Sequence, residues 1–402
     1  MKRVIKAGLL IDGTEKEPIS NAIILLEGDI IKEIGPAESF SIESLEGEIL
    51  DLSHCTVLPG LIDCHVHLFL EGIFDLPERG VRWKESKDTT LIRAVKNLQQ
   101  TLRRGVTTIR DLGGPDKINL LLKKSVNKGV IDGPRVITSG QAISITGGHF
   151  YYGGGREADG PLEMVKAVRE QVKAGADLIK IMMTGCVNFV REDAGCVELS
   201  PEEIEALVKE AHRLGKRIAV HANGALGVGQ ALEAGVDTIE HGALLDLEMV
   251  KMIGQKGVYW VPTLMPFQRM LDYSLEYDCP SLPQAGIERV YTKHKEMVKA
   301  GVKLGAKVLP GTDAGALGVE HGDLVGELHL LVENEIFTPQ EAIRAATFQA
   351  AEALGWEKKI GTLEPGKKAD IIGVRGNPLQ DVANLAKVTA VLKDGVVVHL
   401  FN

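Results

Sequence analysis

The 402-residue sequence is poor in aromatic side chains, which make up 4% of it, and that shortage weakens any role built on stacking nucleobases. It has no lysine/arginine block, and 55 acidic residues outnumber 46 basic ones for a formal net charge of −9. Neither nucleic acid nor an anionic membrane surface is therefore expected as a partner, and the charge serves solubility. No apolar run reaches the roughly 18 residues of a membrane span, and the one at 258–265 is too short. The basic start leads only into a short apolar stretch broken by Asp12; without a small-residue cleavage site it reads as a strand, not a secretory leader. Five cysteines (Cys55, Cys64, Cys186, Cys196 and Cys279) are scattered without a CxxC pair, which argues against a disulfide framework or zinc knuckle and fits a reducing, cytoplasmic setting. Repeats at solenoid periods and low-complexity stretches are missing as well.

Glycine, by contrast, is abundant at 45 residues, which implies many tight turns. The 44% hydrophobic and 25% charged residues are ordinary for a globular chain, and the length suggests one large domain plus a smaller partner. Residues 1–58 alternate short β-rich runs with turns, the language of strands and hairpins. From Pro59 to about Leu354, apolar runs alternate with helical segments such as 88–104, 162–174, 200–214 and 338–354. Two of those helices begin with capping boxes, Ser200-Pro201-Glu202-Glu203 and Thr338-Pro339-Gln340-Glu341, each with proline at the first helical position. Eight strand candidates fill the segment: LPGLIDCHVHL, GVTTIRDLG, RVITSGQAIS, DLIKIMMTG, RIAVHANG, TIEHG, VYWVPTL and KVLPGTDAG. This alternation predicts an α/β fold, a (β/α)8 TIM barrel over 59–355. The flanking segments, 1–58 and 356–402, are expected to pair as one composite β-sandwich domain.

Polar and ionisable residues recur at the C-terminal ends of these strands. His65 and His67 are spaced by two, so both imidazoles leave the first strand on one face and can share a metal. Lys180 lies among Ile179, Ile181, Met182 and Met183, where a lone ammonium is costly to bury. His221, His241 and Asp313 close the fifth, sixth and eighth strands. In a barrel these ends converge on the mouth, where active sites sit. Singly, each has an ordinary structural explanation, whether a satisfied strand-end histidine, a salt-bridged lysine or a loop-capping aspartate; five features on five strands at one end point to a metal site.

In order and strand position, His65-Val66-His67, Lys180, His221, His241 and Asp313 resemble the binuclear-metal subtype of the amidohydrolase superfamily. The resemblance spans nearly the entire chain, from the PGLIDCHVH entry to the GTLEPGKKADIIG exit. It implies that Lys180 is carboxylated by CO2 and bridges two divalent ions, one also held by His65, His67 and Asp313, the other by His221 and His241. Imidazole and carboxylate ligands suit zinc first. A water shared by two such ions is activated near neutral pH, and Asp313 would take its proton and pass it to the leaving group as general base and acid.

Within the superfamily, SITGGHF at 144–150, IKIMMTG at 179–185, VHANG at 220–224, EAGVDTIEHG at 233–242 and GTDAG with His321-Gly322 are similar to the prolidase-like and imidazolonepropionase-like group. That resemblance implies a catalytic role for His149 at the substrate carbonyl. It implies hydrolysis of a small peptide-like amide, by an Xaa-Pro or related dipeptidase or an N-acyl amino-acid hydrolase. Asn223 stands where the group often has His or Tyr, and Gly185-Cys186 where it has a glycine pair; both departures bear on side-chain specificity. Arg191, Arg156 and His321 are loop candidates for a substrate carboxylate, and Tyr151 and Tyr152 for the pocket wall. With so few aromatics, selection is expected to rest on the metals and polar loop groups. Cyclic amide hydrolysis, as in imidazolonepropionase, is an alternative that does not need Lys180. Lactone or phosphotriester hydrolysis is open to the same activated water, and a non-catalytic scaffold would be expected to lose ligands that are all present. Barrels of this family commonly associate through their sides, so the resemblance leaves room for a homo-oligomer.

Overall fold

The computed structural model describes residues 2–41, 47–73, 85–277 and 279–400. Four strands open the chain: β1 (Lys2–Leu10), β2 (Ile19–Glu27), β3 (Ile30–Pro36) and β4 (Glu48–Pro59). Strands and helices then alternate as β5 (Leu61–Val66), α1 (Lys87–Arg103), β6 (Val106–Asp111), α2 (Ile118–Asn127), β7 (Arg135–Thr138), β8 (Ile143–Ser144), β9 (Arg156–Glu157), α3 (Gly160–Ala174) and β10 (Leu178–Met182). The series continues with α4 (Pro201–Arg213), β11 (Arg217–Gly224), α5 (Ala225–Ala234), β12 (Thr238–Leu244), α6 (Leu247–Lys256), β13 (Tyr259–Val261), α7 (Leu264–Glu276), α8 (Gln284–Lys303), β14 (Lys307–Val308) and α9 (Leu324–Glu333). α10 (Pro339–Arg344) runs through a π turn, Ala345–Gln349, into α11 (Ala350–Leu354); β15 (Ile371–Val374), β16 (Val388–Lys393) and β17 (Val396–Leu400) follow.

Strands from both ends of the chain share one seven-stranded sheet, in the order β17-β16-β15-β4-β1-β2-β3. β4 is its junction, parallel to β1 and antiparallel to β15. Ile30 bridges Lys368, and the Ile31 N–H donates to the Lys367 carbonyl at 2.8 Å, so the sheet curls back over its own core of Ile5, Leu10, Ile24, Val57, Ile371 and Leu392.

The other strands run parallel in two arcs, β5-β6-β7 and β14-β13-β12-β11-β10-β8-β9. Backbone bonds join the arcs at both seams: Asp177 N–H to Thr138 O at 2.8 Å on one side, and Asp313 N–H to His65 O (2.8 Å) and His67 N–H to Ala314 O (2.9 Å) on the other. Every residue of β5, β6 and β10 is buried, as expected for parallel strands covered by helices. The eight expected strands all lie here, but β13 and β14 are shorter than their apolar runs. Pro262 and Pro310 follow them closely, and a residue without an N–H cannot extend a ladder. Both expected capping boxes are formed, at α4 by Ser200 with Glu203 and at α10 by Thr338 with Glu341, each cap contributing about 1 kcal/mol. No disulfide links the five cysteines. No helix among the described residues is long and apolar enough to cross a membrane.

Candidate metal centre

The strand ends bring His65, His67, Lys180, His221, His241 and Asp313 to one cavity of about 840 Å³. His65 lies in β5 and His67 just past it; their rings are 5.3 Å apart. Register aligns the next two histidines, with Met182 opposite His221 and Ala222 opposite His241. Ring centroids of His65 and His241 are 5.0 Å apart and those of His221 and His241 4.6 Å. Asp313 Oδ1 is 3.4 Å from His65 Nε2 and 3.5 Å from His67 Nε2, so three ligand atoms lie within 4.8 Å of one another. His241 and Asp313 hold φ of 67° and 55°, a left-handed backbone that non-glycine residues adopt at a cost and that clusters at functional sites.

Hydrogen bonds select the ring tautomers. His65 Nδ1 is 2.8 Å from Glu240 Oε2, and His67 Nδ1 3.1 Å from the Gly113 carbonyl. Both partners only accept, so Nδ1 carries the proton and Nε2 keeps its lone pair. The Thr263 hydroxyl donates to the Pro262 carbonyl at 2.7 Å and lies 2.7 Å from His241 Nδ1, which leaves Nδ1 to donate and Nε2 to face inward. His221 is set differently, with Nε2 3.1 Å from Asn223 Nδ2 and 3.3 Å from Gly185 O. Burial drives His65, His221 and His241 well below the ordinary imidazole range and His67 to about 3, which favours the neutral ring, the form that can ligate a metal. Burial also lowers the Lys180 amine to about 8, opposed by the Glu240 carboxylate. Its Nζ has no hydrogen-bond partner among the described residues, an arrangement that disfavours a bare ammonium.

Three buried charged residues that the sequence analysis does not single out hold this cluster. Arg110 Nη2 donates to both Glu240 oxygens at 2.8 and 2.9 Å. Asp63 accepts from Thr312 Oγ1 at 2.6 Å, Thr312 N at 3.1 Å and His65 N at 3.1 Å, stapling β5 to the turn that carries Asp313. The available signal was a charged residue in the middle of a strand candidate bounded by apolar positions: such groups are almost never buried unless paired.

The expected substrate residues divide. His149, Asn223 and Arg191 line the cavity. The His149 ring lies 4.2 Å from that of His221, the His149 backbone N–H donates to Glu198 at 2.8 Å, and Cys186 Sγ is 3.4 Å from the ring Nδ1. Asn223 is buried on His221, and Arg191 pairs with Asp193 at 2.7 Å. His321 does not meet the expectation of a carboxylate contact: it is buried, its Nε2 bonds the Leu70 carbonyl at 2.9 Å, and burial lowers it to about 4, so it is a neutral strut, not an anion receptor. Arg156 points to Glu170 at 2.8 Å, and half-exposed Tyr151 lies outside the cavity wall; the Tyr152 side chain lies outside the described residues. Phe69, Phe150, Phe189 and Phe267, four of nine phenylalanines, line this one cavity, because a low average does not prevent local concentration.

Residues 56–398 match the model of the Amidohydrolase family. A crystal structure of a Xaa-Pro dipeptidase with methionine bound in its active site superposes with a TM-score of 0.89, is 33% identical and covers all of both chains. Ochratoxinase of Aspergillus niger is 29% identical over 94% of this chain and 82% of its own. Imidazolonepropionase of Thermoplasma volcanium is 24% identical over 89% and 85%. This chain belongs to the amidohydrolase family, enzymes that act on C–N bonds.

Proposed function

We propose that the chain is a metal-dependent hydrolase of a peptide-like C–N amide bond, a dipeptidase of the Xaa-Pro or related kind or an N-acyl amino-acid hydrolase. We further propose that the two strand arcs form one (β/α)8 barrel over 59–355, with residues 1–58 and 356–402 as its β-sandwich partner. The observation that carries the reading is the set of neutral, Nδ1-anchored histidines around a buried Lys180 amine that no hydrogen bond satisfies. That donor set fits divalent ions, zinc first: His65, His67, Asp313 and carboxylated Lys180 for one, and Lys180, His221 and His241 for the other. Carboxylation turns a costly buried cation into an anion with two donor oxygens. Bound ions of this kind lower the pKa of water toward neutrality and polarise a carbonyl.

The remaining work falls to side chains. Asp313, beside His65 and His67 and partly open to the cavity, takes the proton of the attacking water and returns it to the departing nitrogen. His149, in the wall over His221, offers an N–H to the substrate carbonyl as charge builds on its oxygen, a contact that acts when donors are pre-positioned. The similarity to a Xaa-Pro dipeptidase and to ochratoxinase supports an amide over the other electrophiles.

The test is a screen of zinc- and bicarbonate-loaded protein against dipeptides and N-acyl amino acids, scored by the amino acid released, together with metal analysis and 13C NMR after loading with 13C-bicarbonate. We expect two divalent ions per chain, a carbamate signal lost in Lys180→Ala, and release of an amino acid. Protein that takes up no divalent ion, or that hydrolyses esters but no amide, refutes the proposal.

A further inference from the structure

The cavity that contains the ligand cluster has a second, apolar half. Phe189 comes from the hairpin after β10, Pro266, Phe267 and Met270 from α7, and Leu282 from the segment before α8. Phe189 and Phe267 meet edge to face, their centroids 6.1 Å apart at 79°, and Tyr291 stacks behind Phe267 at 6.2 Å and 8°. This corner is built to hold its shape. Arg289 Nε bonds both Glu192 oxygens at 2.9 Å, tying the hairpin to α8, and Gly286 packs so closely on the Phe189 carbonyl that a Cβ there would stand 2.2 Å from it. Cations around the mouth are already committed: Arg93 to Glu71 at 2.7 Å, Arg191 to Asp193 at 2.7 Å and Lys87 to Asp116 at 2.9 Å. What this half offers a ligand is therefore apolar surface with aromatic edges and faces, which favours a flat ring. A volume of about 840 Å³ also belongs to sites that enclose ligands much larger than a dipeptide of small residues.

We propose that this corner is a subsite for an aryl group carried by the amide substrate, making the enzyme selective for bulky aromatic amides over small aliphatic ones. The proposal rests on the amide-hydrolase function above. The ring can arrive on either side of the scissile bond, so the test has two arms. Zinc- and bicarbonate-loaded protein is assayed with N-benzoyl-glycine against N-acetyl-glycine for the acyl side, and with N-acetyl-phenylalanine against N-acetyl-glycine for the amine side. Binding of phenylacetate against acetate is measured by calorimetry on the same protein, a readout that needs no turnover.

In at least one arm the aryl member is expected to lead by about 30-fold in kcat/KM, the effect of burying one phenyl ring. Phenylacetate is expected to bind more tightly than acetate. Phe189→Ala, which removes the ring edge, and Met270→Trp, which fills the corner, should each shrink the aryl preference by about ten-fold. Turnover without aryl preference in either arm, or a preference that neither variant alters, overturns the subsite and leaves the hydrolase function standing. No turnover of any amide, with phenylacetate binding that both variants weaken, overturns the hydrolase function and keeps the subsite.

Discussion

Glu240→Gln changes one atom, and its consequences can be worked through bond by bond. The carboxylate is fully buried; Oε1 accepts from Thr238 Oγ1 at 2.6 Å and Arg110 Nη2 at 2.8 Å, while Oε2 accepts from His65 Nδ1 at 2.8 Å and Arg110 Nη2 at 2.9 Å. An amide must place its NH2 at one of these positions. At Oε1 it meets two donors. At Oε2 it meets Arg110 and donates to His65 Nδ1, which moves the imidazole proton to Nε2, where a metal needs the lone pair. Breaking a buried ion pair costs about 3–5 kcal/mol; because the amide keeps one acceptor, a loss of about 2–3 kcal/mol is expected. Loss of the His65 anchor is expected to weaken metal binding by about 10–100-fold, or about 1.4–2.7 kcal/mol. Denaturant unfolding of the metal-free protein measures the first effect, and competition with a chelator the second. Thr238→Val deletes the hydroxyl bond to Glu240 and the one the hydroxyl accepts from Arg110 Nη1 at 2.9 Å, so it should cost about 2 kcal/mol and, because Glu240 still accepts from His65 Nδ1, spare the metal. If both variants behave alike, or Glu240→Gln binds zinc as the unmodified protein does, the anchoring role is refuted.

Three other outcomes are expected. Asp313→Asn should lower kcat/KM by at least about 10²-fold with little change in the unfolding midpoint, because asparagine tolerates the φ of 55° as aspartate does; near-unchanged rates would place the base elsewhere. Alkylation by iodoacetamide should abolish most turnover, since the exposed Cys186 thiol lies in the cavity wall 3.4 Å from His149, and Cys186→Ser should resist; equal inactivation of both refutes the assignment. Burial raises the Glu327 carboxyl to about 8, against the Leu264 and Met265 N–H groups that favour its anion. Between its ordinary value and that one the folded chain holds a proton the unfolded chain has lost. This residue's stabilising contribution should therefore fall as pH rises from about 4.5 to about 8, by up to about 1.4 kcal/mol per unit. Glu327→Gln should remove that slope, and a stability difference between the two proteins that stays flat over the window contradicts it.

The alternation of strands and helices was legible because buried parallel strands are short apolar runs bounded by turns, and the capping boxes of α4 and α10 are local by nature. His65, His67, His221, His241 and Asp313 could be read for a related reason: each is a polar residue at the end of an apolar strand. Glu240 and Arg110 were hidden because their significance lies in each other, 130 positions apart. His321 misleads for the same reason, since the Leu70 carbonyl that holds it is 251 positions away. The concentration of phenylalanines around one cavity depends on tertiary packing, which a composition averages out.

The junction at β4 also bears on how the chain is made. Thr56 to Pro59 pair with Val374 to Ile371, so during synthesis this half of the sheet edge waits for its partner while residues 60–370 leave the ribosome. At about 5–20 residues per second that interval is about 15 s to a minute, a long exposure for an apolar strand edge prone to pairing with other chains. Only Gly60 separates β4 from β5, so the late-translated β15 secures the segment that leads into His65 and His67. Nascent chains halted before residue 371 should thus be the aggregation-prone species, and a chain cut short of β15 would keep the histidine-bearing strand ends while losing the brace for their earliest part.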